Sequence, residues 1–278
     1  MSDDRIERCL VPGGTATRHD AEAWIDQLIR ANRFTIAVVF PVVGALLLIA
    51  SAEAWLPSPL SFNAGLILFG VAVMRSPLVG GILPLVNRRV VAGFGLLVAY
   101  TYAIEYIGLR TGYPYGSFTY GVDLGPMLGG LPIALPLLFL PLVVNAYLLW
   151  LLLLDRRSSR LAHVSLAIPT VVLMDVVLDP GAVALGFWAY EAAGGFYGVP
   201  LSNYLGWILS ATVAVVILDL SFDSAAIYDR VEACPYMLDD LVSFVILWVV
   251  INLWFGQLLP AIIGCLLAVL LAVGKSME

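Results

Sequence analysis

Apolar residues run in eight long blocks along this chain, at roughly 34–54, 62–84, 89–107, 131–154, 161–180, 204–222, 236–258 and 260–274. Most approach the ~20 residues that a helix rising 1.5 Å per residue needs to cross a ~30 Å hydrocarbon core. The pattern predicts an all-α fold, a polytopic transmembrane helical bundle of about eight spans. The second block is interrupted by Arg75 and Pro77, and the last is short and follows closely on Pro260, so seven spans plus a re-entrant piece is the alternative. Residues 1–19 show no such pattern and read as disordered. Residues 20–33, DAEAWIDQLIRANR, place Trp24 with Leu28 and Ile25 with Ile29 at helical i,i+4 spacing. That segment predicts an amphipathic, interfacial helix leading into the membrane, with a partner-binding helix as the other reading. The chain thus divides into an N-terminal segment, 1–33, a transmembrane domain, 34–274, and a tail, 275–278.

Composition strengthens this picture. Apolar residues make up 61% and charged residues 12%, whereas a soluble domain is nearer half apolar and a quarter charged. The polar start carries no short cleavable signal, so the first span is expected to insert the chain and remain. Cys9, Cys234 and Cys265 are isolated, which predicts neither a disulfide framework nor a zinc site. His19 and His163 show no ligand spacing either, and no metal site is expected.

Charge sets the orientation. Arg5, Arg8, Arg18, Arg30 and Arg33 precede the first block; Arg75, Arg88 and Arg89 fall between the second and third as Arg156, Arg157 and Arg160 do between the fourth and fifth; Arg230 lies between the sixth and seventh, and Lys275 follows the eighth. Eight alternating spans put all of these on one side and leave Arg110 on the other, so the positive-inside rule predicts a multi-pass cell-membrane protein with both termini cytoplasmic. Basic residues this few and scattered predict no nucleic-acid surface. The net charge of −6, with Lys275 the only lysine, suits an exposed surface adapted to high salt.

Two stretches stand out chemically. Residues 100–130 carry a lone Glu105 in an apolar run and then open into a loop dense in Gly, Tyr and Pro; residues 171–207 repeat the theme with Asp175 and Asp179. An ionisable group at membrane depth marks a functional site by default. Glu105 and Asp175 each lie about 15 residues beyond the cytoplasmic start of a span, ~22 Å up at 1.5 Å per residue. Asp175 and Asp179 share a helix face at i,i+4, and Pro180 is expected to end or kink that helix. The two stretches read as two walls of one site. An apolar setting disfavours the charged form of a carboxyl group, and a neutral acid can donate a proton. Aromatic faces stabilise cations. Acids beside aromatic walls therefore suit protonation of an alkene followed by water capture, isomerisation or cyclisation. The competing structural reading is that such acids only pin helices together. Asn203 is a candidate water ligand or helix cap, and Asp219, Asp223, Asp239 and Asp240 read as solvated ends or caps near the cytoplasmic face. Asp175-x-x-x-Asp179 also matches half of the aspartate signature of membrane prenyltransferases, and a chain of acids would suit a proton- or cation-coupled transporter.

EYIGLRTGYPYGSFTY at 105–120, LGPMLGGLP at 124–132, DVVLDPGAVALGFW at 175–188 and GGFYGVPLSNYLGW at 194–207 together make the chain resemble the integral-membrane carotenoid hydratases, over about residues 90–222. The resemblance implies cofactor-free addition of water to terminal isoprenoid double bonds of a long-chain carotenoid in the lipid bilayer. Other carotenoid-pathway membrane enzymes are candidate partners. The acidic, lysine-poor composition points to the halophile branch and a C50 bacterioruberin-type substrate, with C40 ends as the alternative. In that setting Glu105 or Asp175 is expected to protonate the alkene, and the other carboxylate, with Asp179 or Asn203, to orient water. Tyr102, Tyr113, Tyr115, Phe118, Tyr120, Trp188, Tyr197, Tyr204 and Trp207 complete the expected substrate wall.

Overall fold

The computed structural model of the chain describes residues 18–154, 156–192 and 194–276. The predicted disorder of residues 1–19 falls almost wholly outside this range. Among the described residues ten α-helices follow one another: α1 Arg18–Phe34, α2 Phe40–Ala52, α3 Ala64–Ile82, α4 Arg88–Thr111, α5 Leu135–Leu153, α6 Arg160–Leu185, α7 Leu201–Ser221, α8 Ser224–Ala233, α9 Asp239–Trp254 and α10 Leu258–Ser276. A π-helical stretch, Thr35–Val39, joins α1 to α2. Local sequence explains the boundaries. Asn63, Asn87 and Ser159 sit just before α3, α4 and α6, and their side chains accept hydrogen bonds from the first free backbone N–H groups. Gly112 and Gly186 close α4 and α6 in the left-handed conformation. The described residues also form short strands: β1 Phe118–Tyr120, β2 Met127–Leu128, β3 Leu131–Pro132 and β4 Trp188–Tyr190.

Among the described residues seven segments are long and apolar enough to cross a membrane, so this is a multi-pass membrane protein. The last predicted block is not the short one. It folds as α10, one of the seven, while the block at 236–258 yields only the 16-residue α9. That helix nevertheless runs the height of the bundle. At its start Asp239 bonds Arg33 at the end of α1 and Lys275 near the end of α10. In its last turn, the Trp254 indole donates to Glu53, just past α2, over 3.0 Å. Eight helical segments therefore traverse the bundle, and the start of α9 lies at the same end as the close of α10. Arg18, which donates to the carbonyls of Leu83 and Val86 after α3, belongs to that end too.

Proline ends neither α3 nor α6. α3 passes unbroken through Arg75 and Pro77, and α6 through Pro169 and Pro180. Neighbours serve the backbone around Pro180: Asn252 donates to the Val177 carbonyl and Gln257 to that of Pro180. The two apolar pairs of α1 divide between faces. Ile25 and Ile29 pack on Gly80 of α3, whereas Trp24 and Leu28 stay exposed.

Three of the aspartates expected to be solvated are buried instead. Asp240 is paired with Arg75 at 2.6 Å and bonded by Asn145. Asp239 is held by Arg33 and Lys275, and Asp219 by Arg160 and Tyr147. Each is neutralised by a cation brought from another helix, which sequence position alone does not reveal. Asp223 caps α8, as expected.

Candidate functional site

The two Gly/aromatic loops meet as an antiparallel pair of strands. In β1 and β4, Phe118 stands opposite Tyr190, Thr119 opposite Ala189 and Tyr120 opposite Trp188. Side chains alternate along a strand, so FTY and WAY each direct two aromatics to one face. Phe118, Tyr120, Trp188 and Tyr190 all line a single cavity of about 250 Å³ beneath them. Its remaining wall is largely apolar and comes from α2, α3, α5 and α9, including Phe40, Val71, Met74, Phe139 and Trp248.

The carboxylates enter from α4 and α6. Glu105 and Asp179 each sit six residues before their helix ends, at Thr111 and Leu185, and both line the cavity. The Tyr120 hydroxyl donates to Glu105 Oε1 at 2.8 Å. The Tyr190 hydroxyl donates to Asp179 Oδ2 at 2.8 Å. Asn203, in the first turn of α7, donates its Nδ2 to Asp175 Oδ2 at 2.9 Å and to Asp179 Oδ2 at 2.6 Å. One amide thus ties the two aspartates together. Asp175 lies behind the wall, fully buried, with Oδ1 unpartnered among the described residues and the Trp207 side chain beside it. Burial, then the adjoining carboxylates, push the Tyr120 and Tyr190 hydroxyls well above the usual phenol range, so they remain donors. Among the described residues no Lys, Arg or His pairs with Glu105, Asp175 or Asp179, and no group of three His, Cys, Asp or Glu is placed to hold a metal ion.

Tyr115 is positioned by α7. A methyl at Gly206 would stand 2.6 Å from its ring, so glycine is what admits the ring there. The Tyr115 and Ser210 hydroxyls are 2.6 Å apart, and Trp207, one turn away, stacks on Phe139 at 5.2 Å between ring centroids.

The wall therefore gathers Glu105, Asp179, Tyr115, Phe118, Tyr120, Trp188, Asn203 and Trp207 from the expected set. Tyr102, Tyr113, Tyr197 and Tyr204 stand outside it. Tyr102 donates to the Ile133 carbonyl and holds the loop after β3; Tyr113 is exposed; Tyr197 adopts a left-handed turn at the surface; Tyr204 packs edge-on to Phe196. Tyr190, absent from that set, belongs to the site. The aromatic-x-aromatic period shared by FTY and WAY was the available signal. Arg75 and the lining from α2, α3 and α9 gave none, because those helices are distant in sequence from both loops.

A family profile described as "Carotenoid biosynthesis protein" matches residues 62–271. The chain belongs to this family. The bisanhydrobacterioruberin hydratase of Haloarcula japonica is 56% identical over 253 residues, spanning 90% of this chain and 86% of the relative. The family match includes the carboxylates, both strands of the aromatic lid and every helix from α3 to α9. No solved structure shows a significant match.

Proposed function

We propose that this family member is a carotenoid hydratase that adds water to terminal isoprenoid double bonds, converting bisanhydrobacterioruberin to bacterioruberin. The observation that carries the reading is an apolar cavity whose few polar wall groups include two carboxylates, an amide and two tyrosine hydroxyls beneath an aromatic lid. The 56% identical Haloarcula relative, named for that hydration, supports the substrate.

Glu105 in its acid form gives a proton to the less substituted alkene carbon. The π pair becomes the new C–H bond, and the tertiary cation forms opposite the faces of the lid aromatics and Trp207. Water attacks the cation, and its surplus proton passes to Asp179. Return of one proton from Asp179 to Glu105 resets the site, so the net change is addition of one water. Asp175, behind the wall, positions Asp179 through the shared Asn203 amide rather than touching substrate; Tyr120 and Tyr190 orient the two reacting carboxyl groups. The tertiary alcohol results because the tertiary cation is the more stable. No cofactor takes part in this sequence.

The catalytic domain is the 34–274 region, in contact with the bilayer and open to neighbouring pathway enzymes. The shared end of α1, α9 and α10 is cytoplasmic in this reading, supported by the arginines gathered there. Mass spectrometry of pigments tests the function. A host lacking this gene should accumulate the anhydro carotenoid, and restoring it should add one water per end group. An unchanged pigment mass on restoration overturns the proposal.

A further inference from the structure

We infer that the substrate's polyene chain reaches the carboxylates laterally from the lipid, through a portal between α2 and α3. This inference rests on the hydratase reading and identifies the access route to the same site.

Cavities that enclose drug-sized ligands run roughly 300–1,000 Å³, and this one is about 250 Å³. A C40 or C50 polyene exceeds it, so one end group enters and most of the chain stays outside. That chain is apolar, and its favourable surroundings are the lipid tails.

The wall shows where it leaves. Leu47 of α2 and Leu66 of α3 line the cavity, yet they are 44% and 50% exposed on the outer surface of the bundle. They belong to both faces of the same wall. Between them Gly44 and Gly70 also line the cavity. A methyl placed at Gly70 would meet nothing within 4 Å, and one at Gly44 would meet only Leu247, at 3.5 Å. The two helices therefore leave space between them at this level. Phe40 of α2 and Phe69 of α3 bound it, with ring centroids 6.1 Å apart. Two other sides are closed more fully: the lid strands are hydrogen-bonded to each other, and α5 lines the cavity with the buried Phe139 and Leu142.

The test uses full-length protein in lipid nanodiscs, with the anhydro carotenoid and a C10 acyclic isoprenoid alkene as paired probes. Gly70→Phe fills the portal. It should lower kcat/KM for the carotenoid by about tenfold or more, the range over which capture rates vary among variants of one site, and lower C10 turnover far less. Gly95→Phe is the control: Gly95 on α4 is exposed, also has nothing within 4 Å, and lies outside the cavity wall. It should leave both rates at the parent value. Leu66→Ala widens the rim and should raise carotenoid capture by about twofold or more. Carotenoid turnover unaffected by Gly70→Phe overturns the portal, as does an unaffected rate in Leu66→Ala should the bulkier variant not insert. Failure of the parent protein to hydrate either probe overturns the hydratase reading instead.

Discussion

Three buried aspartates at the end of the bundle that gathers α1, α9 and α10 each bond a cation: Asp219 with Arg160, Asp239 with Arg33 and Lys275, Asp240 with Arg75. The carboxylates toward the other end have neutral partners: Glu105 has Tyr120, Asp179 has Tyr190 and Asn203, and Asp175 has Asn203. Both sets are costly to bury. Ion pairing satisfies the first set and locks it into helix packing. Neutral donors leave the second free to change protonation state without stranding a buried cation, which acid catalysis requires. One fold thus holds buried carboxylates as structural clamps at one end and, in the proposed reaction, as reagents at the other.

The largest expected effect comes from breaking a clamp. Asp240→Ala leaves Arg75 as an uncompensated charge in the cavity wall, and removing one partner of a buried pair costs about 3–5 kcal/mol. The protein should lose most of its folded yield, read as a fall in melting temperature in detergent. The double variant Arg75→Met with Asp240→Leu should recover much of that loss. If Asp240→Ala melts like the parent, the clamp is not one.

Removing a reagent should do the opposite: spare stability and abolish rate. Glu105→Gln and Asp179→Asn keep a carbonyl oxygen that can accept the Tyr120 or Tyr190 hydrogen bond, but cannot carry the transferred proton. Turnover should fall about 10²–10⁴-fold, the usual contribution of a general acid or base, with melting temperature little moved. Full turnover in both would remove the acid–base role from the site. A smaller loss, of about tenfold, is expected for Tyr120→Phe and Tyr190→Phe, since each deletes one hydrogen bond to a carboxylate worth about 1.5–3 kcal/mol at most. Product mass per unit of inserted protein measures all four.

This division was only half legible in the sequence. The apolar blocks mark the bundle because helix length against bilayer thickness leaves little choice. Glu105, Asp175 and Asp179 stand out because an ionisable residue in such a block has few innocent explanations. The clamps were invisible. Asp240 and Arg75 lie 165 residues apart, and each looks like an ordinary polar residue near a span end until α3 and α9 are packed. The lid was legible in part. FTY and WAY carry the period of a strand, but only their pairing shows that four aromatics face one cavity, and Tyr190 was missed for that reason. Tyr102, Tyr113, Tyr197 and Tyr204 were attractive by composition alone. Tyr102 lies on α4 and Tyr204 on α7, Tyr113 and Tyr197 in the loops, and whether each reaches the cavity is decided by helix phase and local turns, which composition does not encode.

The smallest effect tests how far the clamp argument extends. Asp239 is held twice, by Arg33 through both carboxylate oxygens at 2.7 and 2.9 Å and by Lys275 at 2.9 Å. Both cations are about a third exposed, at 37% and 31%, so solvent screens each bond. Lys275→Met leaves the bidentate arginine in place and should cost under about 1 kcal/mol, within the range for exposed pairs. Arg33→Met should cost more, because the lysine alone leaves one oxygen of a buried carboxylate without its cation. Equal losses in the two variants would mean that net charge near Asp239, rather than the geometry of its bonds, is what holds α1 and α9 together at this end.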